Sequence, residues 1–398
     1  MRVKLLAVHQ GGGVGGAPVS LLKLLSALDR EEFSPHAVFT EPGDVVTYAQ
    51  QLNVPVEVVP MGGAFFYSAH ARLGSRSVAR FMRTFPKAVQ TARAALRHNH
   101  PDLLHLNTSV LLAWAAAARR ERVPVVWTVR EVLGPNAWLR RWHADFILRH
   151  ARRVVAISDA VAACFPEASR PVERVYNAVD LAEFRLELLN DAMAVRWELG
   201  LSADAAVLMV VGSVQRPKGH WLVLEALTRL AADAELVLVT GGTGADYAHS
   251  PRGRIKRILG MPLDNLDALL RDARRVGLAK RVHVSGYRRD VARVIAAADV
   301  VVFPSLEPEG FGRPIIEAMA LARPVVATDV GPSRELLGVG TGRLVPPEAH
   351  ALASALGELL GAAEIRRAMG RAGRARVEAC FTLQRQVAEM SAIYRQCR

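Results

Sequence analysis

Two glutamates, Glu309 and Glu317, stand seven residues apart in the segment FPSLEPEGFGRPIIEAMA that begins at Phe303. An apolar run ends at Phe303, a glycine-bearing loop follows, and a helix is expected near Pro314, a residue favoured at the first helical position. Carboxylates on such a loop and first turn can accept hydrogen bonds from sugar hydroxyls. The bare amides of Phe311 and Gly312, next to a helix N-terminus, can stabilise phosphate charge. Either glutamate alone would read as an ordinary surface acid or helix cap; the combination points to a polar ligand carrying both hydroxyls and phosphate.

A second segment, Gly212-Ser213-Val214-Gln215-Arg216-Pro217-Lys218-Gly219-His220, follows the apolar run Val207 to Val211 and precedes a helical pattern. Arg216 and Lys218 would add point charge and bidentate capacity to the amides of a helix start, which suits a diphosphate. It is not a Walker loop, because Lys218 precedes glycine rather than Ser or Thr. A third segment, Gly11-Gly12-Gly13-Val14-Gly15-Gly16, lies between the first apolar run and a helix pattern from Pro18. Gly11, Gly13 and Gly16 satisfy GxGxxG, with Glu41 where a dinucleotide-binding fold places its ribose acid. Many glycine patterns fit so rich a run; what it supplies is backbone that a ligand can approach closely.

These segments need strands that end and helices that begin beside them. Short Val- and Leu-rich runs alternate with helical patterns, as in βαβ units with buried parallel strands. Strands are expected at Val3 to His9, His36 to Thr40, Val56 to Val59, Leu103 to Leu106, Val125 to Thr128, Val154 to Ile157 and Val172 to Val175. The alternation lapses after Tyr176. It resumes at Ala206 to Gly212, Glu235 to Thr240, Arg281 to Ser285, Val300 to Phe303 and Val325 to Thr328, and three helical patterns from Glu348 close the chain. The expected organisation is an N-terminal doubly wound α/β domain over 1–185, a linker over 186–205, a second such domain over 206–375, and a terminal helix over 376–398 that crosses back towards the first domain. Ligands belong at the C-terminal strand ends facing a cleft.

With 398 residues, 51% hydrophobic and 22% charged, the chain can bury large cores, and disordered, collagenous and disulfide-scaffold classes are excluded. No apolar run reaches the ~18 residues of a membrane span. The N-terminus reads as a first strand rather than a signal, and three cysteines without paired spacing suggest a reducing cytoplasm. The net charge is +13, which calls for phosphates, anionic membrane or nucleic acid. Between Glu57 and Asp102 there is no acid, yet Arg72, Arg76, Arg80, Arg83, Lys87, Arg93 and Arg97 fall there at spacings that give one basic helix face. That face is either a solvated surface or a membrane and acceptor surface. It lacks the interleaved aromatics of a base-stacking platform, so nucleic acid is not expected.

The chain resembles the retaining glycosyltransferases of family 4, carried by the E-x7-E element in EGFGRPIIEAMALARPVVATD. VVGSVQRPKG, VYNAVDLAEF from Val175, AISDA from Ala156, GTGRLVPP from Gly340 and a terminal helix with Tyr394 support it. The resemblance implies the GT-B fold, α/β with two Rossmann-like domains facing across a cleft. It implies that Glu317 binds the nucleotide ribose, that Glu309 with the Phe311 and Gly312 amides holds the donor hexose, and that Lys218 binds the diphosphate. Where the family usually has arginine this chain has Ser213, so Arg216 is the substitute. Gly15 and Gly16 match the loop near sugar and diphosphate. Many members have a histidine where this chain has Arg130-Glu131; these two and Asn107 are placed on the acceptor side.

The expected function is transfer of a hexosyl group from a nucleoside diphosphate sugar to a hydroxyl, with retention. No cofactor is expected, and metal independence is expected because no D-x-D pair occurs to bridge the diphosphate through a divalent ion. A lipid-linked or membrane-proximal glycan is the preferred acceptor, and the enzyme would be cytoplasmic, peripheral at the inner face of the membrane. Rivals are an NAD(P)-dependent dehydrogenase built on the first glycines, a nucleotide-sugar epimerase of the same architecture, and a non-catalytic membrane-surface protein. The basic run over 245–265 reads as an exposed insertion.

Overall fold

In the computed structural model of the chain, residues 2–62, 64–68, 74–165, 171–202, 204–230, 234–240 and 264–397 are described. Arg72 and nearly all of the basic run at 245–265 lie outside them. The chain forms two units. The first comprises Met1–Ala178, Glu309–Phe311 and Phe381–Arg398; the second comprises Val179–Pro308 and Gly312–Cys380.

The first unit holds β1 (Val3–His9), β2 (Phe33–Phe39), β3 (Val56–Val58), β4 (Leu103–Leu106), β5 (Val125–Val129), β6 (Arg153–Ala156) and β7 (Val172–Arg174) in the order β3-β2-β1-β4-β5-β6-β7. All pairs are parallel, with β1 against β2 from Val3–Phe33 to His9–Phe39. Every residue of β4 and β5 is buried, because helices cover both faces. Leu5, Leu21, Leu25, Phe33 and Phe39 form one core with Met390, Ile393 and Tyr394 of the helix Leu383–Arg395. The chain's last helix is thereby part of the first unit.

The second unit holds β8 (Ala206–Val211), β9 (Ala234–Val239), β10 (Val282–Val284), β11 (Val300–Phe303), β12 (Val325–Thr328) and β13 (Arg343–Val345), ordered β10-β9-β8-β11-β12-β13 and again parallel. Its core gathers Leu208, Val223, Leu227, Leu236, Val302 and Val326 with Leu352 and Leu356. β13 is a strand the periodicity does not announce. It has three residues, too few to alternate visibly, and pairs at the sheet edge from Val326–Arg343 onwards.

The basic face of the helix Ser75–Asn99 is shorter than the sequence suggests. Arg76, Arg80, Arg83 and Lys87 are exposed. Arg93 and Arg97, one turn apart, both reach Glu121, at 2.6 and 2.9 Å. Their charge is satisfied within the fold, so the free face ends at Lys87.

Candidate active site

In the second unit the strand order reverses between β8 and β11, and the loops that leave these strands carry the residues singled out above. Such a reversal opens a crevice at the carboxyl ends of the strands. Gly212 follows β8 directly, at a φ of +136° that suits glycine. The Lys218 ammonium nitrogen lies 3.7 Å from the point a Cβ of Gly212 would occupy, so this cation folds back over the strand end. Arg216 goes elsewhere: its guanidinium carbon stacks 3.6 Å from the Trp221 ring centroid, and Trp221 Nε1 donates to Asp272 at 2.8 Å. Ser213 Oγ accepts from Gln215 Nε2 at 3.1 Å.

The two loops are fastened together. Leu306 N–H donates to Pro217 O at 2.7 Å, and the second loop is also held to the end of β12, where Thr328 Oγ1 donates to Ser305 O at 2.5 Å. Gly219 has φ +70°, and a Cβ there would lie 1.8 Å from Pro304 O, so only glycine lets the cationic turn close against the end of β11. Gly312, at φ +108°, caps the helix Arg313–Ala320 and leaves its first amides at the strand ends. Glu317, 5% exposed, lies in this helix and receives Arg313 Nη2 at 2.7 Å. A buried carboxylate in this helix, with Lys218 on the neighbouring loop, suits a polyhydroxylated diphosphate better than any apolar ligand.

In the first unit the reversal is between β1 and β4. The glycine loop leaves β1, with Gly11 N–H donating to Thr40 Oγ1 at 2.9 Å. Gly12 is packed so closely that a Cβ would meet Pro42 O at 2.3 Å, whereas Gly13 and Gly15 face open space. Gly15 caps the helix Gly16–Ala27. Asn107, at the end of β4, and Arg130, at the end of β5, meet directly: Arg130 Nε donates to Asn107 Oδ1 at 2.8 Å. Arg130 also donates to Asn177 Oδ1 at 2.7 Å and to Ser20 Oγ at 3.3 Å. Asn107 Nδ2 lies 3.1 Å from His9 Nδ1 and 3.3 Å from Ala17 O. The network thus ties the strand ends to the first turn of the helix that carries the glycines. Glu131 Oε2 accepts from the Ser109 amide at 3.0 Å and shapes the turn after β4.

Glu309–Phe311 pack with the first unit. Ser158 Oγ donates to Gly310 O at 2.7 Å, and a Cβ on Gly310 would fall 1.9 Å from Arg130 O. Phe311 is buried against Tyr176 and Phe381, with ring centroids 6.0 and 6.3 Å away. Glu309 is half-buried beside it.

Sequence reasoning passed over Ser20, His9 and Asn177, which carry the Arg130 network, and His220. Asn177 sits within the VYNAVDLAEF motif, which was the available signal. Burial, with the Arg130 charge beside it, depresses His9 to about 3. Burial similarly lowers His220, at the start of its helix next to Lys218, to about 4. Both rings are neutral at physiological pH, so the positive charge of these loops is carried by Arg130, Arg216 and Lys218. Among the described residues no three His, Cys, Asp or Glu side chains group to hold a metal ion.

The model of Glycosyl transferases group 1 matches residues 205–362, and that of Glycosyltransferase Family 4 matches 14–183. A D-inositol 3-phosphate glycosyltransferase of Xylanimonas cellulosilytica is 31% identical over 374 residues, covering 84% of this chain and 82% of that one. The Mycobacterium marinum enzyme of the same name is 28% identical, covering 83% and 71%. Among solved structures, HepE of Anabaena in complex with UDP and glucose superposes with a TM-score of 0.78, 24% identity and 99% coverage of both chains. The two sheets correspond to the paired Rossmann-like domains of the GT-B fold. The chain belongs to the family 4, group 1 glycosyltransferases.

Proposed function

We propose that this glycosyltransferase moves a hexosyl group, with retention of anomeric configuration and without a metal ion, from a nucleoside diphosphate sugar to a hydroxyl of a lipid-linked or membrane-proximal glycan. The observation that carries the donor half is Lys218 folded over Gly212, on a loop bonded through Pro217 to the loop that leads into the helix Arg313–Ala320, with Glu317 buried in that helix. As the glycosyl–phosphate bond breaks, negative charge grows on the leaving diphosphate. Lys218 and the helix amides stabilise it electrostatically, and Arg216 backs the turn from the face of Trp221. Glu317 takes ribose hydroxyls, and Glu309 takes hexose hydroxyls with the Phe311 and Gly312 amides. The Gly15 and Gly16 backbone admits the sugar and diphosphate closely. The acceptor enters beside Asn107, Arg130 and Glu131.

The acceptor half is supported by an exposed amphipathic surface of the first unit. Phe65 packs against Phe81 and Trp142 at 5.2 and 5.4 Å, bringing the start of the helix Ser75–Asn99 to the helix Ala137–His150. Around it Trp138 is 76% and Met82 66% exposed, and Phe66 and Val78 are also exposed. Arg76, Arg80, Arg83 and Arg141 stand among them. Aromatic and aliphatic side chains among arginines suit the interface of an anionic bilayer.

The test is a thermal-shift panel of UDP, GDP, ADP, dTDP and their sugars, with chelator throughout, followed by turnover with lipid-linked acceptors and with inositol 3-phosphate. Stabilisation by one nucleoside diphosphate and its sugars, indifferent to chelator, is expected. Conversion of the sugar with no acceptor would mean an epimerase instead. Silence towards every nucleotide would sink the donor assignment.

A further inference from the structure

The end of the first unit's sheet opposite the glycine loop holds a pocket of 1320 Å³ that the transferase reading leaves unused. It opens under the N-terminal ends of β1, β4 and β5, between the C-terminal ends of the helices Leu112–Glu121 and Ala137–His150. Val3, Ala118, Val125, Ala151 and Cys397 are buried and give it an apolar floor. Arg2, Lys4, Arg119, Arg122 and Arg152 are exposed and ring it. Asp102 is the acid in its lining, and that carboxylate already accepts the Lys4 backbone N–H at 2.9 Å. Arg2 also reaches Glu31, at 2.8 Å.

Helix C-termini attract cations, which accounts for an arginine there but not for five cations converging on one cavity. Arg122 is also held at φ +58°, where its N–H caps the helix onto Ala118 O. Glycine fills that left-handed position at no steric cost, whereas arginine pays about 1 kcal/mol or more for it. This cap sets the Arg122 side chain at the rim of the pocket.

We propose that this pocket binds a soluble organic polyphosphate as a second ligand site. Arginine forks match phosphate oxygens in pairs, and the apolar floor takes the ligand's carbon body. β1 spans seven residues from Val3 at the pocket to His9 at the glycine loop, about 20 Å at strand rise, so the site is separate from that loop. Exposed Trp138 and the pocket residue His150 lie at opposite ends of one 14-residue helix. The pocket is therefore about 20 Å along the helix from the surface offered to the bilayer, which favours a soluble ligand over a lipid headgroup.

The experiment is isothermal titration of the full chain with inorganic tripolyphosphate and with ATP. Wild type is compared with the pocket variant Arg119→Gln/Arg122→Gln/Arg152→Gln and with Lys218→Ala. The proposal expects saturable binding of both probes that survives in Lys218→Ala and weakens at least tenfold in the pocket variant, ATP binding more tightly than tripolyphosphate. Retained melting temperature, and retained response to whichever nucleoside diphosphate stabilises wild type, show the pocket variant folded. Loss in Lys218→Ala with retention in the pocket variant would locate the polyphosphate at the donor loop and overturn the proposal. So would absence of binding, or equal binding in all three proteins. Flotation on phosphatidylglycerol vesicles is unchanged in the pocket variant if the ligand is soluble; its loss there would assign the cations to a headgroup and refute a soluble ligand. Failure of the donor reading is read separately, as no nucleoside diphosphate response in wild type.

Discussion

The hydroxyl of Tyr394 lies 2.9 Å from Nδ1 of His105, and Nε2 of the same ring lies 2.8 Å from Thr128 Oγ1. All three side chains are buried. This relay fastens the chain's last helix to β4 and β5, using both ring nitrogens of one neutral histidine. Tyr394 also packs edge-on against Phe33 at 5.8 Å. Tyr394→Phe keeps the packing and strands a buried nitrogen, which costs about 1–3 kcal/mol. Denaturant unfolding should show that loss, and an unchanged midpoint would mean the relay contributes nothing net.

The same histidine makes stability depend on pH. Burial, and the charge of Arg130, depress His105 and His9 from 6.5 to about 3. The native chain keeps both rings neutral while the unfolded chain protonates them below 6.5. Their contribution is thus fully present above 6.5 and is lost as pH falls through the window down to about 3. Each ring removes up to about 1.4 kcal/mol per pH unit there. The thermal midpoint should fall from about pH 6.5 downwards, less steeply in His105→Gln. A variant whose pH slope matches wild type would remove His105 from the account.

Arg130 is 8% exposed and gives its donors to Asn107, Asn177 and Ser20. Arg130→Lys keeps the charge but not the planar fork, so it should lose about 2–3 kcal/mol of stability. Because the network holds the first turn of the glycine helix, turnover should fall more than nucleotide affinity. Steady-state kinetics beside nucleoside diphosphate titration separates the two; equal losses would make Arg130 merely structural.

What was legible in the sequence follows from how each feature is encoded. Buried parallel strands are continuous apolar runs, so β1, β4, β11 and β12 stand out with the bounds the structure gives them. β2 begins earlier than its Val-rich core, at Phe33, because a serine and a proline interrupt the run. The loops that carry Lys218, Glu309 and Glu317 are local in sequence, so their residue types alone suggest a site there. The Arg130 network is not local. It joins Ser20, Asn107, Arg130 and Asn177, brought together only by the strand order. Arg216 is similar: charge and spacing suggest a diphosphate ligand, and only coordinates reveal its seat on Trp221.

The loop proposed to hold the donor diphosphate gives a test that needs no charge change. At φ +70°, and with a Cβ placed 1.8 Å from Pro304 O, Gly219→Ala must push the cationic turn off the end of β11. Nucleoside diphosphate affinity should fall at least as far as in Lys218→Ala, about tenfold to a hundredfold, the range of 1.4 to 2.8 kcal/mol for one misplaced charge-assisted contact. Glu309→Gln should leave that affinity nearly intact while turnover collapses. If Gly219→Ala binds like wild type, the turn is not the diphosphate seat.

The exposed surface of the first unit makes a prediction in which charge and apolar area separate. Met82 and Trp138 would insert at the bilayer interface, whereas Arg76, Arg80 and Arg83 act at a distance through the surface potential. Arg76→Gln/Arg80→Gln/Arg83→Gln should weaken vesicle binding about 10²-fold at low salt, at ~1 kcal/mol per charge, and by much less in high salt, where the potential is screened. Met82→Ser/Trp138→Ser should weaken it at every salt concentration, because apolar transfer is not screened. Flotation on vesicles with and without phosphatidylglycerol reads both. If salt abolishes wild-type binding and the apolar variant behaves like wild type, attachment is electrostatic alone and the aromatic residues serve the acceptor instead.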